Sequence, residues 1–218
     1  MLSKLKRLLN KYQFNSKDYW ETRYQKGGNS GSGSYGKLAD FKAKVLNAFV
    51  KENNINTVIE FGCGDGHQAS LAAYPNYVGL DVSRTVIAHC IEKFNNDPAK
   101  SFFLYDQDCF SDKYGFLKCD LSLSLDVLYH LVEQQVYEKY IKNLFAAGGK
   151  YVIVYSSNQL IPPVNEMSHE FHRKFTDDIP KLAPDWELYK EMENEYAPKN
   201  YADEDGSMAN FYFFRRRS

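Results

Sequence analysis

The chain has few cysteines and no long run of apolar residues. Its four cysteines, at positions 63, 90, 109 and 119, form no Cys-x-x-Cys pair and fall in or beside predicted core elements. No apolar stretch approaches the ~20 residues that a membrane-spanning helix needs. Residues 1–9 lack the long apolar core and the small-residue cleavage site of a secretory signal. These absences predict a cytoplasmic protein with reduced thiols and no membrane span.

An excess of charge of either sign is also missing. Lys and Arg total 27, Asp and Glu total 28, and the formal net charge is -1. Such a balance creates no global field for polyanions, so nucleic acid is not expected as a partner. The 218 residues, 44% of them hydrophobic, suit one compact domain with a substantial core.

The most informative pattern is a short apolar strand that runs into alternating glycines. The strand covers residues 57–61, carries the acidic Glu60 near its end, and precedes Gly62, Gly64 and Gly66. Glycines let the backbone turn tightly and approach a ligand closely, and the next helix offers free amide groups. The pattern predicts a nucleotide- or nucleoside-binding corner of an open α/β sheet. The spacing departs from the dinucleotide fingerprint G-x-G-x-x-G, so an NAD(P)-dependent oxidoreductase is an alternative of lower rank.

Strand and helix patterns alternate along the rest of the chain. Strands are predicted at residues 57–61, 77–80, 101–105, 120–125 and 150–155, and later at 186–190 and 208–215. The alternation predicts a parallel sheet with right-handed crossovers. Ligands of such sheets lie across the carboxyl ends of the strands, so acids at those ends should converge on one cleft. These acids are Glu60, Asp81, Asp106 and Asp126.

Two segments carry a resemblance to a known family. Residues 60–66 (Glu-Phe-Gly-Cys-Gly-Asp-Gly) and 79–83 (Gly-Leu-Asp-Val-Ser) resemble motifs I and II of class I S-adenosylmethionine-dependent methyltransferases. The resemblance implies an α/β, Rossmann-like fold, with a mostly parallel seven-stranded sheet, an antiparallel C-terminal hairpin and helices on both faces. It also implies S-adenosyl-L-methionine as cofactor and S-adenosyl-L-homocysteine as product.

The same resemblance implies a set of cofactor-binding residues. They are Arg23, Glu60, Gly62, Cys63, Gly64, Gly66, Asp81, Val82, Asp106, Asp108 and Asp126. Asp81 would bind the ribose, and Val82 would stack on the adenine. Either Asp106 or Asp108 would accept a hydrogen bond from the adenine amino group, and Arg23 would approach the methionine carboxylate.

The N-terminal part of the chain predicts a separate covering segment. Residues 1–36 would form a helix and a lid, and residues 37–218 a single methyltransferase domain. The Gly/Ser-rich residues 27–36 are typical of a flexible linker, but aromatic residues bracket them, as expected of a lid that orders over a ligand. Both interpretations remain open at this point. Tyr35 is a candidate substrate-binding residue at the lid.

Candidate catalytic residues follow the fourth strand. Methyl transfer from a sulfonium is an in-line displacement that depends mainly on positioning, and it needs a base only if the acceptor loses a proton. His130 is the candidate base, and Tyr129 would shape the acceptor pocket. A histidine that only packs and hydrogen-bonds is the competing interpretation for His130.

A second group of polar residues follows the fifth strand. Pro162 and Pro163 predict an insertion over the cleft, placed at residues 158–182. His169, His172 and Arg173 have the spacing of one helix face and would bind a phosphate or carboxylate on the substrate. A solvated helix face is the alternative. The spacing of a zinc helix is absent, so no metal is expected.

The absence of one motif narrows the choice of acceptor. The Asn/Asp-Pro-Pro-Tyr/Phe motif with which DNA amino-methyltransferases grip a flipped base does not follow the fourth strand. The chain looks similar to small methyltransferases of bacterial surface-polysaccharide loci, which implies a small acceptor. The accepting oxygen would belong to a sugar hydroxyl or a phosphate-type group, and a phosphorylated or nucleotide-linked sugar is compatible with this resemblance. A non-catalytic cofactor-binding subunit is the competing interpretation, and the oligomeric state stays unpredicted.

Overall fold

Seven strands form one sheet in the computed structural model, which describes residues 14–165, 168–198 and 206–217. The strands are β1 (Thr57–Phe61), β2 (Asn76–Asp81), β3 (Lys100–Leu104), β4 (Cys119–Leu125), β5 (Gly148–Ser156), β6 (Trp186–Met192) and β7 (Asn210–Arg216). Their order across the sheet is β3-β2-β1-β4-β5-β7-β6. β1 to β5 are parallel, and β7 pairs antiparallel with both β5 and β6. The predicted fold class is confirmed.

The described helices alternate with the strands. They are α1 (Ser16–Gln25), α2 (Gly36–Glu52), α3 (His67–Ser70), α4 (Arg84–Lys93), α5 (Gln134–Ala147) and α6 (Ile179–Leu182). Ser83 caps α4, because its hydroxyl accepts a hydrogen bond from the Val86 amide at 3.1 Å. Among the residues described, no helix has the length and apolar content to cross a bilayer. The helix predicted within residues 1–9 lies outside the described residues.

Two apolar layers cover the two faces of the sheet. Successive strand residues point to opposite faces, so Val58 of β1 packs in one layer and Ile59 in the other. The first layer includes buried residues of α2 and α4, and the second includes those of α5 and α6. Three of the cysteines are buried, as the sequence predicts, but Cys109 is exposed. The sheet is thereby fixed on both faces, and its carboxyl edge is left for a site.

The helix predicted around His169 and His172 is wrong. Residues 168–174 follow an irregular, largely extended course, in which Ile161 and His172 form an isolated antiparallel bridge. The amide of each bridge residue donates to the other's carbonyl, at 3.0 and 3.1 Å. The Phe171 amide also donates to the Tyr129 carbonyl at 2.7 Å. These long-range backbone bonds override the local helical spacing and separate the side chains that were expected on one face.

Candidate functional site

The main cavity lies at the carboxyl ends of the central strands. It is lined by residues of α1 and by residues that end or follow β1, β2, β3 and β4. β1 lies between β2 and β4, so the connections from its two neighbours depart in opposite directions across the sheet. This is the topological switch point at which open α/β sheets bind ligands. We call this space the main cavity.

The glycine loop closes one side of the main cavity. Gly62, Gly64 and Gly66 have φ angles of 78°, 54° and 69°, a region that favours glycine. A Cβ on Gly62 would lie 2.5 Å from a methyl group of Val127, and a Cβ on Gly64 would lie 2.3 Å from the Ser30 hydroxyl. The loop therefore requires glycine for both conformation and space. α3, which follows it, is a single turn of four residues, so its dipole adds less than the sequence led us to expect.

Asp81 is buried beside this loop. One carboxylate oxygen accepts from the Gly64 amide at 3.0 Å, and the other from the Ser83 amide at 2.9 Å. Burial raises the pKa of Asp81 to about 6, although the backbone hydrogen bonds act in the opposite direction. Asp81 and Val82 both line the main cavity, where they were expected. Each oxygen of Asp81 keeps acceptor capacity for a ligand hydroxyl.

The side chains of Glu60 and Cys63 lie outside the main cavity. The Glu60 side chain is buried under the loop, where the Tyr77 hydroxyl donates to its carboxylate at 2.6 Å. Burial raises the pKa of Glu60 to about 7. Neither residue is part of the cavity lining, and the Cys63 side chain is buried in the core. Both side chains support the glycine loop from below, and neither is available to a ligand in the main cavity.

The loop after β3 also differs in detail from the prediction. Asp106 pairs with Lys17 of α1 at 2.6 Å, and this bond holds the pKa of Asp106 below its usual range. Asp108 pairs with Lys139 at 2.6 Å and is largely exposed. Gln107, between the two acids, lines the main cavity. Both carboxylates are engaged by lysines and neither is part of the cavity lining, so Gln107 is the candidate of this loop for contact with a ligand.

The Gly/Ser-rich segment is docked as a lid on the glycine loop. Ser30 and Asp65 exchange two hydrogen bonds, each 2.9 Å long, and the Tyr35 hydroxyl donates to Asp65 at 2.7 Å. The Tyr24 hydroxyl lies 3.0 Å from the Ser30 hydroxyl. Ser30 and Ser34 line the main cavity, which favours the lid over the linker. The sequence analysis did not identify Asp65 as the residue that holds the lid.

Two residues predicted on the lid point to other partners. The Tyr35 ring stacks on His67 at 4.4 Å and is not part of the cavity lining. The Arg23 side chain donates to the Asn29 carbonyl at 2.7 Å and lies over the Trp20 ring, 5.6 Å from its centroid. Trp20 itself lines the cavity. Arg23 is therefore one layer removed from the main cavity and stabilises the lid turn.

A buried ion pair lies at the end of β4, where Asp126 lines the main cavity. Lys42 of α2 is 1% exposed, and its ammonium lies 2.5 Å from a carboxylate oxygen of Asp126. The other oxygen of Asp126 accepts from the Tyr129 hydroxyl at 3.0 Å. Asp126 has a φ angle of 58°, in the left-handed region. The sequence analysis missed Lys42, because a lysine in an amphipathic helix is normally at the surface.

His130 lies at the end of the main cavity that is nearest to this pair. Its Nδ1 is 3.2 Å from the His169 carbonyl oxygen and must donate to it, so Nε2 carries the lone pair. Burial lowers the pKa of His130 to about 4, so the ring is neutral at neutral pH. The edge of Trp20 packs against the ring, with centroids 5.0 Å apart. His130 is thus an oriented, neutral imidazole, as a candidate base requires.

A second space, the side cavity, adjoins Tyr129. Its polar lining includes Glu170, His172, Ser157, Gln159 and Asn210. The Ser157 hydroxyl lies 2.6 Å from Nδ1 of His172, and the Tyr129 ring stacks on the His172 ring at 5.1 Å. The described residues that line this cavity include one carboxylate and no lysine or arginine.

Arg173 does not reach either cavity. Its guanidinium donates to the carbonyls of Leu131 and Val132, at 2.7 and 2.8 Å, and lies 3.9 Å from the centre of the Phe171 ring. The side chain is buried, so it is unavailable to a substrate phosphate or carboxylate. The predicted anion site of His169, His172 and Arg173 is therefore not assembled. In extended backbone, neighbouring side chains point to opposite sides, which separates Arg173 from His172.

Comparisons with known proteins agree with this architecture. A family model described as a methyltransferase domain matches residues 52–202. An N-methyltransferase from Bradyrhizobium japonicum in complex with S-adenosyl-L-homocysteine has a similar structure, with a TM-score of 0.68, 15% identity and coverage of 94% of this chain and 100% of that one. A magnesium protoporphyrin IX methyltransferase from Synechocystis PCC 6803 is also similar, with a TM-score of 0.64, 15% identity and coverage of 92% of this chain and 98% of that one.

A third similar structure is the methyltransferase domain of bacterial CtHen1-C. Its TM-score is 0.61 at 22% identity, with coverage of 81% of this chain and 97% of that one. At such identities the similarity concerns the fold. No curated protein sequence matches the chain.

Replacement of Lys42 tests the buried ion pair. We expect Lys42→Met to lower the free energy of unfolding by about 3–5 kcal/mol, because it leaves the Asp126 carboxylate buried without a counter-charge. Lys44→Met, on the same helix but largely exposed, should cost less than about 1 kcal/mol. Urea unfolding of both variants measures the difference. Equal losses in the two variants would contradict the importance of the pair.

Replacement of Glu60 tests the buried carboxyl through the pH dependence of stability. The pKa of Glu60 is raised from 4.5 to about 7, so its contribution to stability is full below the lower value and is lost as pH rises through the higher one. Glu60→Gln keeps an acceptor for Tyr77 and cannot ionise. Between about pH 5 and about pH 8, we expect its free energy of unfolding to gain roughly 2–3 kcal/mol relative to the unmodified chain. Parallel pH profiles of the two proteins in urea unfolding would refute this.

Proposed function

The chain belongs to the methyltransferase domain family, whose model matches more than half of it, and we propose that it transfers a methyl group from S-adenosyl-L-methionine to a hydroxyl oxygen of a sugar. The observation that carries this proposal is that the neighbouring residues Tyr129 and His130 line the side cavity and the main cavity, respectively. The main cavity has the features of a nucleoside site, and the side cavity has polar groups suited to a polyol, with Glu170 as the one carboxylate among its described residues. By the sequence resemblance, we place the reaction in the synthesis of a bacterial surface polysaccharide.

The main cavity fits the cofactor by its chemistry. The Asp81 oxygens are fixed by backbone amides and retain lone pairs for the two ribose hydroxyls. Val82 and the Gln107 amide would contact the adenine, and the glycine loop would contact the methionine part through its backbone. Bound there, the cofactor supplies an activated methyl group on sulfur. The residues of the chain hold it, exclude water under the lid and align the acceptor.

The polarity of the side cavity favours a neutral acceptor. A phosphate would need a fixed guanidinium or several free donors, but Arg173 is engaged with backbone carbonyls. Glu170 would repel an anion. Hydroxyl, amide and imidazole groups beside the Tyr129 ring instead match the hydroxyls and the apolar face of a sugar. A sugar hydroxyl is therefore the better of the two oxygen acceptors that the sequence left open.

His130 and Tyr129 are the proposed residues at the transfer point. The lone pair on Nε2 of His130 can activate the acceptor hydroxyl as its oxygen attacks the methyl carbon. Tyr129 is held by Asp126 through its hydroxyl and by His172 through its ring, so it forms a rigid wall of the acceptor pocket. The displacement itself needs only the approach of the oxygen in line with the sulfur–carbon bond.

Binding of S-adenosyl-L-homocysteine tests the cofactor assignment. We expect Asp81→Ala to weaken this binding at least ~30-fold, since about 2 kcal/mol is lost with the ribose contacts and the Gly64 anchor. Asp40→Asn, an exposed acid on α2, should bind like the unmodified chain. Isothermal titration calorimetry, with NAD as a control ligand, measures both. A preference for NAD, or equal binding by the two variants, would reject the assignment.

Turnover of His130 variants tests the acceptor side. With a panel of free, phosphorylated and nucleotide-linked sugars, we expect a free hydroxyl to be methylated and His130→Ala to lower kcat on the order of 10²–10⁴-fold. Affinity for S-adenosyl-L-homocysteine should change little, because binding rests on Asp81 and the glycine loop. His89→Ala, at an exposed position of α4, is the matched control. Full turnover in His130→Ala would remove His130 from catalysis.

A further inference from the structure

Three potential metal ligands lie together beside the two cavities: His130 lines the main cavity and Glu170 the side cavity. His130, His169 and Glu170 each offer one ligand atom, and these atoms all lie within 4.8 Å of one another. His130 comes from the turn after β4, whereas His169 and Glu170 come from the bridged segment after β5. No local spacing joins them, which explains why the sequence pattern predicted no metal. The fold alone creates the group.

The hydrogen bonding of His130 is that of a metal ligand. Metal-binding histidines typically donate their second ring N–H to a carbonyl or carboxylate, which fixes the tautomer and directs the other nitrogen. The Nδ1 of His130 makes such a bond to the His169 carbonyl at 3.2 Å. Nε2 is therefore the nitrogen that is left for a cation.

The imidazole rings are also fixed by aromatic neighbours. The His169 ring stacks between Tyr19, at 5.0 Å, and His130, at 5.6 Å, with interplanar angles of 15° and 12°. Trp20 packs edge-on against His130. Both aromatic residues belong to α1, so the docked lid helix holds the two rings in place. A preorganised pair of imidazoles loses little entropy when it binds an ion.

The Glu170 carboxylate lies beside two imidazoles. It is about half exposed, and its oxygens lie 3.5 Å from Nε2 of His169 and 3.7 Å from Nε2 of His172. Lysine and arginine are absent from the described lining of the side cavity. A divalent ion between the carboxylate and the two imidazoles would neutralise this acid and satisfy the free nitrogens.

We propose that His130, His169 and Glu170 bind a divalent transition-metal ion. Two imidazoles and one carboxylate suit Zn²⁺, Mn²⁺, Fe²⁺ or Co²⁺ better than Mg²⁺ or Ca²⁺, which prefer oxygen ligands alone. Three protein ligands leave positions open, as in catalytic sites. Which of these metals is bound depends on its availability in the cell and on the coordination geometry of the site.

The position of the ion gives it a role in methyl transfer, and this role rests on the proposed function. His130 lines the main cavity and Glu170 lines the side cavity, so the ion would face an acceptor hydroxyl. A cation lowers the pKa of such a hydroxyl, whose proton leaves to water. The oxygen then forms the bond to the methyl carbon while the carbon–sulfur bond breaks and its electron pair stays on sulfur. With the ion bound, the lone pair of His130 acts through the metal.

Cobalt binding tests the site without reference to activity. The full chain, treated with a chelator and dialysed, is titrated with Co²⁺ and followed by visible absorption, with Zn²⁺ calorimetry in parallel. We expect one ion per chain, and an affinity at least about tenfold lower in His169→Gln and in Glu170→Gln. His89→Gln, an exposed histidine away from the site, should bind Co²⁺ like the unmodified chain.

The outcomes separate this site from the proposed function. Each protein is also titrated with S-adenosyl-L-homocysteine in the presence of chelator, which verifies folding and cofactor binding. Retained cofactor binding with no Co²⁺ binding, or with equal Co²⁺ affinity in all variants, overturns the metal site alone. Loss of Co²⁺ affinity in the two site variants with retained cofactor binding supports it. Co²⁺ binding without cofactor binding keeps the metal site and rejects the cofactor assignment.

Discussion

The buried ion pair between Lys42 and Asp126 is the constraint on which the rest of the site depends. Both charges are removed from water, and either one alone would be costly to bury, so α2 and the end of β4 must stay together. Asp126 accepts this position in a left-handed conformation. The next residue, Val127, then packs against Gly62, and Tyr129 reaches back to the carboxylate. The ion pair thus fixes the position of Tyr129 relative to the glycine loop.

Three acids near the glycine loop, Asp126, Asp81 and Glu60, are each stabilised by different partners. Asp126 has the direct ion pair, Asp81 has two backbone amides, and Glu60 has the hydroxyl of Tyr77. Burial raises the pKa of both Asp81 and Glu60 because no further cation compensates them. Of these two acids Asp81 lines the main cavity, and with a pKa of about 6 it carries a negative charge there at neutral pH. A negative charge at this edge suits a sulfonium, because the positive charge of a sulfonium is permanent and does not depend on protonation.

The sheet and the glycine loop were predictable because their signals are local. Alternating apolar residues, a terminal acid such as Asp81 and glycines with no tolerated Cβ all appear in short stretches of sequence. Lys42 was not predictable, because its partner is 84 residues away and the ion pair exists only after folding. The spacing of His169 and Arg173 indicated a helix that the structure does not contain. Backbone hydrogen bonds from this segment to Ile161 and Tyr129 decided its conformation instead.

The lid helix α1 connects the loops on both sides of the main cavity. Lys17 pairs with Asp106 and Glu21 accepts from Ser83, so α1 is bound to the loops that follow β3 and β2. Through Tyr19 and Trp20 the same helix contacts the rings of His169 and His130. Because one helix makes both sets of contacts, a change that displaces α1 would release the imidazoles and the two loops together.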